Sequence, residues 1–527
     1  MAIWRSFAQP VRYAVLLTGA LPVLAFPALN LEFLAWIGLV PGLLLLRAAP
    51  GAGEAAVRGW WFGTGYLLAS LYWLTPNLGP ALLLVVVVLG APWASVGLAA
   101  WWLLGAGSVS GRQAGQVQAR TRLPGRAGPG AGRSLAALVV IPSCWVVIDW
   151  IRSWQGIGGP WAVYGASQWQ HPVVLALASV GGIWLISFVL VAVNTAIVVV
   201  LTSASRLGQA LGAAAAVLAA ASGPAAFWLT APAYATPGAA PVVIALVQPG
   251  LEPGPAARLA EEVRLTLGVR HADLIVWGES SVGYDLRASP GLLHRLRRLS
   301  ATVGAQILVS QDALSRTGAK SKVAVLIGPG GVAGTYTKTR LVPFGEYIPF
   351  RPVLGWLAKI SRAAARNVIA GNGARVLHAT LPDGRRLTFG VLICFESSFS
   401  DMSAVDANHG AQVLIYQTSD STFQASWAPA QHAALAALRA AENGRPAVQA
   451  ALTGDSVAFD SRGRLLAWAG TADRGVTLVA LRPVRAAVRT PFDRFGDYVP
   501  WTAIAVVVIA LAAWINGLGL IRRYRRK

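Results

Sequence analysis

Eight long apolar runs constrain the fold of this chain more than any other feature of its sequence. Each contains about 20 mostly apolar residues, the length that an α-helix needs to cross the hydrocarbon core of a bilayer. Only 13% of the 527 residues are charged, whereas an ordinary soluble domain carries about a quarter charged residues. The sequence therefore predicts a polytopic α-helical membrane domain, with spans at 11–29, 31–49, 58–76, 80–105, 134–151, 172–201, 208–231 and 499–521.

The basic residues are distributed in a way that is typical of membrane orientation. The net charge of +22 is divided into +8 over residues 1–240, +9 over residues 241–498 and +5 in the tail 522–527. No dense basic stripe favours nucleic-acid binding, and the short basic clusters beside the apolar runs favour membrane orientation instead. Arginines fall on alternate loops, including the loop 106–133, so the positive-inside rule assigns these loops and both termini to the cytoplasm. We therefore expect a multi-pass protein of the cell membrane with four parts: a seven-helix domain over 1–235, an extracytoplasmic domain over 240–487, an eighth span over 499–521 and a basic cytoplasmic tail over 522–527.

From residue 241 onward the pattern changes to short strands that alternate with helices, which is typical of an α/β domain. Strands are expected at 241–248, 273–277, 305–310, 322–328, 387–393 and 411–416. Helices are expected at 255–269, 289–302 and 427–443, and Gly444 is expected to end the last of them.

Chemically reactive side chains follow several of these strands. Glu279 lies just past the strand 273–277, Cys394 lies just past the strand 387–393, and Lys338 lies in the segment between them. Each alone has an ordinary explanation, as a capping carboxylate, a buried thiol or a solvated amine. Because ligand sites in α/β sheets lie beyond the carboxyl ends of strands, the three together indicate an activated cysteine nucleophile.

Three motifs of the outer domain carry a resemblance to a known superfamily. They are the run 336–349 (YTKTRLVPFGEYIP), the run 392–396 (LICFE) and the strand end Trp277-Gly278-Glu279. Together they resemble the nitrilase (carbon–nitrogen hydrolase) superfamily, which has a Glu–Lys–Cys triad. With the predicted spans, the whole chain resembles the bacterial apolipoprotein N-acyltransferases, and three further motifs extend this resemblance: 149–152 (DWIR), 159–161 (GPW) and 441–446 (AENGRP).

The resemblance implies a nitrilase-like αββα sandwich and a role for each member of the triad. Glu279 would be the general base, Lys338 would stabilise the oxyanion and Cys394 would be the nucleophile. Supporting roles are implied for Glu346, Glu396 and Phe395, the last through a backbone N–H near it. Trp161 and Phe423 are expected to contact substrate, although tryptophans such as Trp161 are also typical of an interfacial aromatic belt.

The reaction implied by the resemblance is a ping-pong acyl transfer. The thiolate takes an acyl chain from a phospholipid such as phosphatidylethanolamine, and the thioester then passes the chain to the α-amine of a diacylglyceryl-cysteine at the N-terminus of a lipoprotein. We expect no cofactor, no metal and no nucleic-acid partner. The sequence departs from the family pattern at 419–423, which reads SDSTF where the family usually has NDAWF, and at 248–250, which reads QPG where it has Q-x-N.

Other functions fit the sequence less well. A membrane-anchored amidase would use the same triad with water as acceptor, but a single anchor would suffice for it. A transporter predicts ionisable groups deep inside the spans, and Asp149 lies close to a span end. A serine hydrolase predicts a G-x-S-x-G elbow, which the sequence lacks, and its six histidines are scattered without zinc-ligand spacing.

Overall fold

The computed structural model describes the backbone of residues 10–105, 128–234, 240–314, 319–355 and 368–525. Within these ranges the amino-terminal part of the chain is entirely helical. Most of the expected cytoplasmic loop lies outside them, at 106–127. The α-helices of this part are Pro10–Ala20, Leu34–Ile37, Val40–Arg47, Ala52–Leu71, Thr75–Leu78, Ala81–Gly90, Ala94–Leu104, Ala131–Arg152, Pro172–Thr202 and Arg206–Tyr234.

Five helices of the described residues are long and apolar enough to cross a membrane. They are Ala81–Leu104, which includes a short 3-10 turn, Ala131–Arg152, Pro172–Thr202, Arg206–Thr230 and Tyr498–Gly517. The apolar helices Pro10–Ala25 and Leu34–Arg47 are shorter. The helix Ala52–Leu71 has 20 residues but carries Glu54 and Arg58. The chain is a membrane protein, and the number of eight spans stays a prediction.

Glycines allow the helices of the membrane domain to pack closely. A Cβ atom at Gly65 would overlap the backbone oxygen of Leu16, and one at Gly97 would overlap that of Ala55. Small residues at such crossings let two backbones approach, which is the main source of packing energy between helices in lipid. The helix Ala52–Leu71 therefore contacts both the first helix and Ala94–Leu104.

The α/β domain, which follows the membrane helix Arg206–Tyr234, contains two six-stranded sheets. One has the strand order β12-β1-β2-β3-β4-β5 and the other has the order β11-β10-β9-β8-β7-β6. The strands are β1 Val242–Gln248, β2 Leu274–Trp277, β3 Gln306–Leu314, β4 Lys320–Gly328, β5 Gly331–Thr337, β6 Val376–Thr380, β7 Arg386–Ile393, β8 Val413–Thr418, β9 Ala447–Ala451, β10 Ser456–Phe459, β11 Leu465–Ala469 and β12 Gly475–Leu481.

Alternation of side chains along the strands builds a layered core. In β1, Ile244 and Leu246 enter the cluster that also contains Val391 of β7. Ala245 lies in a second cluster with Leu259, on the helix that covers the first sheet. Successive strand residues point to opposite faces of a sheet. One face of the first sheet therefore packs on the second sheet and the other face packs on helices, which gives the expected αββα sandwich. The helices of this domain are Pro255–Leu267, Pro290–Val303, Arg351–Leu354, Ser400–Asn408, Ala428–Asn443 and Pro491–Phe495.

The helix Ala428–Asn443 joins the two domains. All of its residues are buried except Ala430, which is partly buried. The reason is that this helix lies between the second sheet and the membrane helix Pro172–Thr202. Gly444 ends it in the left-handed conformation, with φ +59°, as expected. The carboxylate of Glu442 accepts a hydrogen bond from the backbone N–H of Ile183, 2.9 Å away, where Gly181 and Gly182 interrupt the membrane helix.

The six expected strands are present with ends that differ by a few residues, and six further strands were not expected. The additional strands are β5, β6 and β9 to β12. They include all four outer strands, β5, β6, β11 and β12, and the short alanine-rich β9 (AVQAA). Such segments have neither a long apolar run nor regular alternation, so pairing with a neighbour rather than local pattern decides their structure. The last membrane helix, Tyr498–Arg525, extends beyond the expected end at 521.

Candidate active site

The candidate site lies where strand ends of the two sheets meet. Glu279 follows β2, and its backbone N–H donates to the carbonyl oxygen of Thr418 at the end of β8, over 3.1 Å. The Gln417 side chain donates to the carbonyl oxygen of Trp277, over 2.8 Å. These hydrogen bonds fix the end of one sheet against the end of the other, so side chains that follow β2, β7 and β8 share one site.

Lys338 lies in the centre of this site, between two carboxylates. Its Nζ is 3.2 Å from Oε1 of Glu279 and 2.9 Å from Oε1 of Glu346. The lysine side chain is 1% exposed. Burial lowers the pKa of Lys338, but the two carboxylates outweigh burial and raise this pKa well above its usual value. Lys338 is therefore a fixed ammonium group.

Cys394 begins a 3-10 turn, Cys394–Ser398, at the end of β7. Its backbone has φ +53°, a conformation that is costly for a residue other than glycine and is concentrated at functional sites. Burial and the carboxylate of Glu279 raise the pKa of the Cys394 thiol well above its usual range, against the effect of Lys338. The thiol is therefore protonated at neutral pH, and it faces a carboxylate that can accept its proton.

Glu396 connects the nucleophile turn to the segment that carries Lys338. Its Oε1 accepts hydrogen bonds from the hydroxyl of Tyr336 at 2.8 Å and from the backbone N–H groups of Thr339 and Arg340 at 2.6 and 2.9 Å. Its Oε2 accepts from the backbone N–H of Ile393 at 2.8 Å. With all four donors directed at it, this buried carboxylate ties the nucleophile turn to the segment that carries Lys338.

A histidine that the sequence did not reveal as functional lies beside the nucleophile. Nδ1 of His432 is 3.1 Å from Oδ2 of Asp420, and Nε2 is 3.2 Å from the carbonyl oxygen of Cys394. Burial lowers the pKa of His432, but Asp420 and the carbonyl oxygen outweigh burial and raise it. Both ring nitrogens face protein acceptors, which favours the doubly protonated form of the imidazole. The sequence signal that could have indicated this histidine–carboxylate pair was the position of Asp420, just past the end of β8.

Cys394, Asp420 and His432 are also the residues to consider for a metal ion. Their ligand atoms lie within 4.8 Å of one another, and they form the one such group found in the described part of the chain. Both imidazole nitrogens are engaged by protein acceptors, and the thiol faces Glu279. A metal here would compete with the proposed chemistry of the thiol, so we derive no step from one.

Aromatic side chains from both domains surround the nucleophile turn. Trp161 stacks on Phe395, with 6.4 Å between ring centroids and 24° between planes. Trp161 also meets Trp73 edge-on at 5.1 Å, and Trp73 meets Phe423 edge-on at 5.0 Å. The residues expected to contact substrate, Trp161 and Phe423, thus belong to one aromatic cluster, which consists of Trp73, Trp161, Phe395 and Phe423.

The DWIR motif holds the segment that carries Trp161. Asp149 and Arg152 form a buried ion pair of 3.3 Å. The Arg152 guanidinium donates to the carbonyl oxygen of Trp161 over 2.8 Å, and the Asp149 carboxylate accepts from the backbone N–H of Tyr164 over 3.2 Å. A buried charge in a membrane domain is costly unless it is paired and hydrogen-bonded, and here that pairing positions the tryptophan.

An αββα sandwich with a Glu–Lys–Cys group at its strand ends, joined to a membrane domain, defines a carbon–nitrogen hydrolase of the membrane-bound class. The family model described as "Carbon-nitrogen hydrolase" matches residues 245–489, and the model described as "Apolipoprotein N-acyltransferase N-terminal domain" matches residues 18–196. The chain belongs to the apolipoprotein N-acyltransferase family.

Similar proteins span nearly the whole chain. The apolipoprotein N-acyltransferase of Sinorhizobium medicae is 32% identical over 500 residues, which cover 87% of this chain and 88% of that protein. The enzyme of the same name from Geobacter metallireducens is 28% identical over 532 residues and covers 94% of each chain. Among solved structures, an amidase from Nesterenkonia sp. is 21% identical, with a TM-score of 0.35, and covers 46% of this chain and 91% of its own.

Proposed function

We propose that this protein transfers an acyl chain from a phospholipid, through a thioester on Cys394, to the α-amine of diacylglyceryl-cysteine on lipoproteins. The observation that carries the proposal is the joining of the Glu279, Lys338 and Cys394 group to an aromatic cluster that includes Trp73 and Trp161 of the membrane domain. A soluble hydrolase would need the Glu–Lys–Cys group but not the aromatic cluster. Membership of the apolipoprotein N-acyltransferase family supports the same reaction.

The first half-reaction forms the thioester. Glu279 accepts the proton of the Cys394 thiol as sulfur attacks the ester carbonyl of the phospholipid. The ammonium of Lys338 and a backbone N–H near Phe395 stabilise the oxyanion, a role that is worth about 3–4 kcal/mol per donor. The carbon–oxygen bond then breaks, the proton on Glu279 passes to the leaving glycerol oxygen, and lysophospholipid departs.

The second half-reaction consumes the thioester. The neutral α-amine of the lipoprotein attacks the thioester carbonyl, and Glu279 takes a proton from the attacking nitrogen. The carbon–sulfur bond breaks, and the proton passes from Glu279 to the sulfur of Cys394. The first half-reaction returns Glu279 to its ionised form and leaves Cys394 acylated, and the second half-reaction restores the thiol. Over the whole cycle the enzyme therefore neither gains nor loses a proton.

The membrane domain brings the acyl chains to the nucleophile. Exposing an acyl chain to water costs about 0.8 kcal/mol per CH₂ group, so transfer between two lipids requires a nucleophile near the bilayer surface. We propose that 240–487 is the extracytoplasmic catalytic domain and that the loops rich in arginine and the tail 522–527 face the cytoplasm. The segment 1–235 would then carry seven spans and 499–521 the eighth.

The test is the lifetime of the acyl-enzyme, followed by intact-protein mass spectrometry. Phospholipid alone should add an acyl mass that persists, and a diacylated lipopeptide with a free N-terminus should remove it quickly. The N-acetylated lipopeptide is the matched control and should leave the acyl-enzyme in place, because acetylation removes the nucleophilic lone pair. Release of free fatty acid at the same rate with and without acceptor would instead favour the amidase function.

A further inference from the structure

A second lysine contacts the carboxylate that we propose as the general base. Nζ of Lys322, on β4, is 3.7 Å from Oε1 of Glu279 and 3.2 Å from Oδ1 of Asp312. The hydroxyl of Ser280 bonds both Lys322 and Asp312. None of the motifs that identify the triad contains Lys322. Its side chain is 23% exposed, against 1% for Lys338, so it lies on the solvent side of Glu279.

Two ammonium groups therefore act on one carboxylate oxygen. Burial by itself raises the pKa of Glu279, but Lys338 and Lys322 outweigh burial and bring this pKa below its ordinary value. Lys338 also forms an ion pair with Glu346 and, in the proposed mechanism, stabilises the oxyanion. The hydrogen-bonding partners of the Lys322 ammonium are Asp312 and Ser280, and neither of them belongs to the triad.

We propose that Lys322 is a positioning residue that keeps Glu279 ionised before the thiol gives up its proton. The proposal rests on the assignment of Glu279 as the base. In the first half-reaction a proton moves from sulfur to Glu279 and then to the leaving glycerol oxygen. A nearby cation favours both the ionised carboxylate at the start and the release of the proton afterwards. Lys322 keeps its own proton throughout.

Asp312 sets how strongly Lys322 acts. Its carboxylate partly neutralises the ammonium, so removal of the carboxylate should strengthen the effect of Lys322 on Glu279, whereas removal of the ammonium should abolish it. The other charged or titratable groups that face Glu279 are Lys338 and Cys394. Behind them lie Glu346 and the pair Asp420–His432, and all of these are unchanged in the variants below.

The experiment measures the rate of thioester formation on Cys394 as a function of pH. The full-length protein in detergent micelles is mixed with phosphatidylethanolamine, and the acyl mass is followed by mass spectrometry. Lys322→Met should move the acidic midpoint of the rate profile upward by about one pH unit, because a neighbouring opposite charge lowers a carboxyl pKa by roughly 1–3 units. Asp312→Asn should move the midpoint downward.

Two controls make the outcome specific. Lys322→Arg keeps the charge and should restore the midpoint of the natural protein. Lys320→Met removes a positive charge from an exposed position of the same strand and should leave the midpoint unchanged. If Lys322→Met does not fold, the downward displacement in Asp312→Asn still tests the proposal. A rate that falls equally at every pH in Lys322→Met, or an unmoved midpoint in Asp312→Asn, would overturn the role of Lys322.

Failure of this inference can be told from failure of the proposed function. If Glu279→Gln forms the thioester at the natural rate, then Glu279 is not the base, and the proposed mechanism fails together with this inference. If Glu279→Gln is slow and the midpoint does not move in the variants of Lys322 and Asp312, then the triad stands and Lys322 has no part in it.

Discussion

The ring of Trp161 stacks on the ring of Phe395, which directly follows Cys394 in the chain. Trp161 comes from the segment between two membrane helices and Phe395 from the nucleophile turn. The contact therefore joins the two domains one residue away from the proposed nucleophile. Since Arg152 and Asp149 fix the Trp161 segment from the membrane side, the membrane domain places an aromatic ring directly against the nucleophile turn.

Replacement of Cys394 should abolish transfer without unfolding the protein. Cys394→Ala removes the sulfur on which the proposed thioester forms, and a single thiol contributes little packing. Acyl transfer to a lipopeptide measures activity, and the thermal melt of the purified protein measures folding. Cys144→Ala, in a buried part of the membrane domain, is the control and should retain activity. Transfer by a well-folded Cys394→Ala protein would disprove the nucleophile assignment.

Replacement of Glu279 should slow the formation of the thioester. Glu279→Gln keeps the shape of the side chain but cannot accept a proton, so the rate should fall by roughly 10²–10⁴. Acylation of Cys394 in a single turnover, measured by mass spectrometry, reports this step. Glu261→Gln, on the surface helix Pro255–Leu267, serves as the control with a normal rate. If Glu279→Gln acylated at the normal rate, Glu279 would not be the general base, and Glu346 or Glu396 would be the next candidates.

Removal of the Trp161 ring should affect phospholipid more than a small reagent. Trp161→Ala is expected to slow acylation by phosphatidylethanolamine about tenfold, because loss of aromatic contacts costs roughly 1.4 kcal/mol. Alkylation of Cys394 by iodoacetamide should change little. Trp154→Ala, in the same segment but with Trp154 57% exposed, is the matched control. Equal losses in both reactions would indicate that Trp161 supports the turn rather than the substrate.

The Asp420–His432 pair should make stability depend on pH. Asp420 raises the pKa of His432 against the effect of burial, so the folded protein holds this proton more tightly than the unfolded chain, whose histidine pKa is about 6.5. The stability from the pair is therefore fully present below about pH 6.5 and is lost as the pH rises through the folded pKa. His432→Gln should flatten this part of a melting-temperature profile, and His294→Gln, at an exposed position, should not. An unchanged profile in His432→Gln would contradict the prediction.

Cysteine labelling in intact cells tests the orientation. In a background without Cys144 and Cys394, Gln118→Cys should react only with reagents that enter the cytoplasm. Ala260→Cys, at an exposed position of the α/β domain, should react with a reagent that cannot cross the membrane. The physical basis is the excess of arginine in the loop that contains Gln118. The reverse pattern would place the catalytic domain in the cytoplasm and overturn the proposed localisation.

Local sequence determined the class of the protein and the chemistry of its site. The apolar runs indicated a membrane domain because bilayer thickness fixes the length of a spanning helix. Glu279, Lys338 and Cys394 were identified because they follow or separate buried strands and occur in specific motifs. Each of these signals lies within one continuous segment of about 30 residues or fewer, which is why the sequence alone carries them.

The tertiary structure decided which distant residues complete the site. Lys322 lies beside Glu279 because β4 and β2 belong to one sheet and are separated only by β3, and the partners Lys322 and Ser280 are 42 residues apart in sequence. His432 lies beside Cys394 because the helix Ala428–Asn443 packs against the nucleophile turn at the end of β7. The strands β5 and β9 to β12 likewise depend on neighbours that local pattern does not specify. Strand pairing and sheet packing are long-range interactions whose partners no periodicity encodes, so these contacts became visible only in the folded chain.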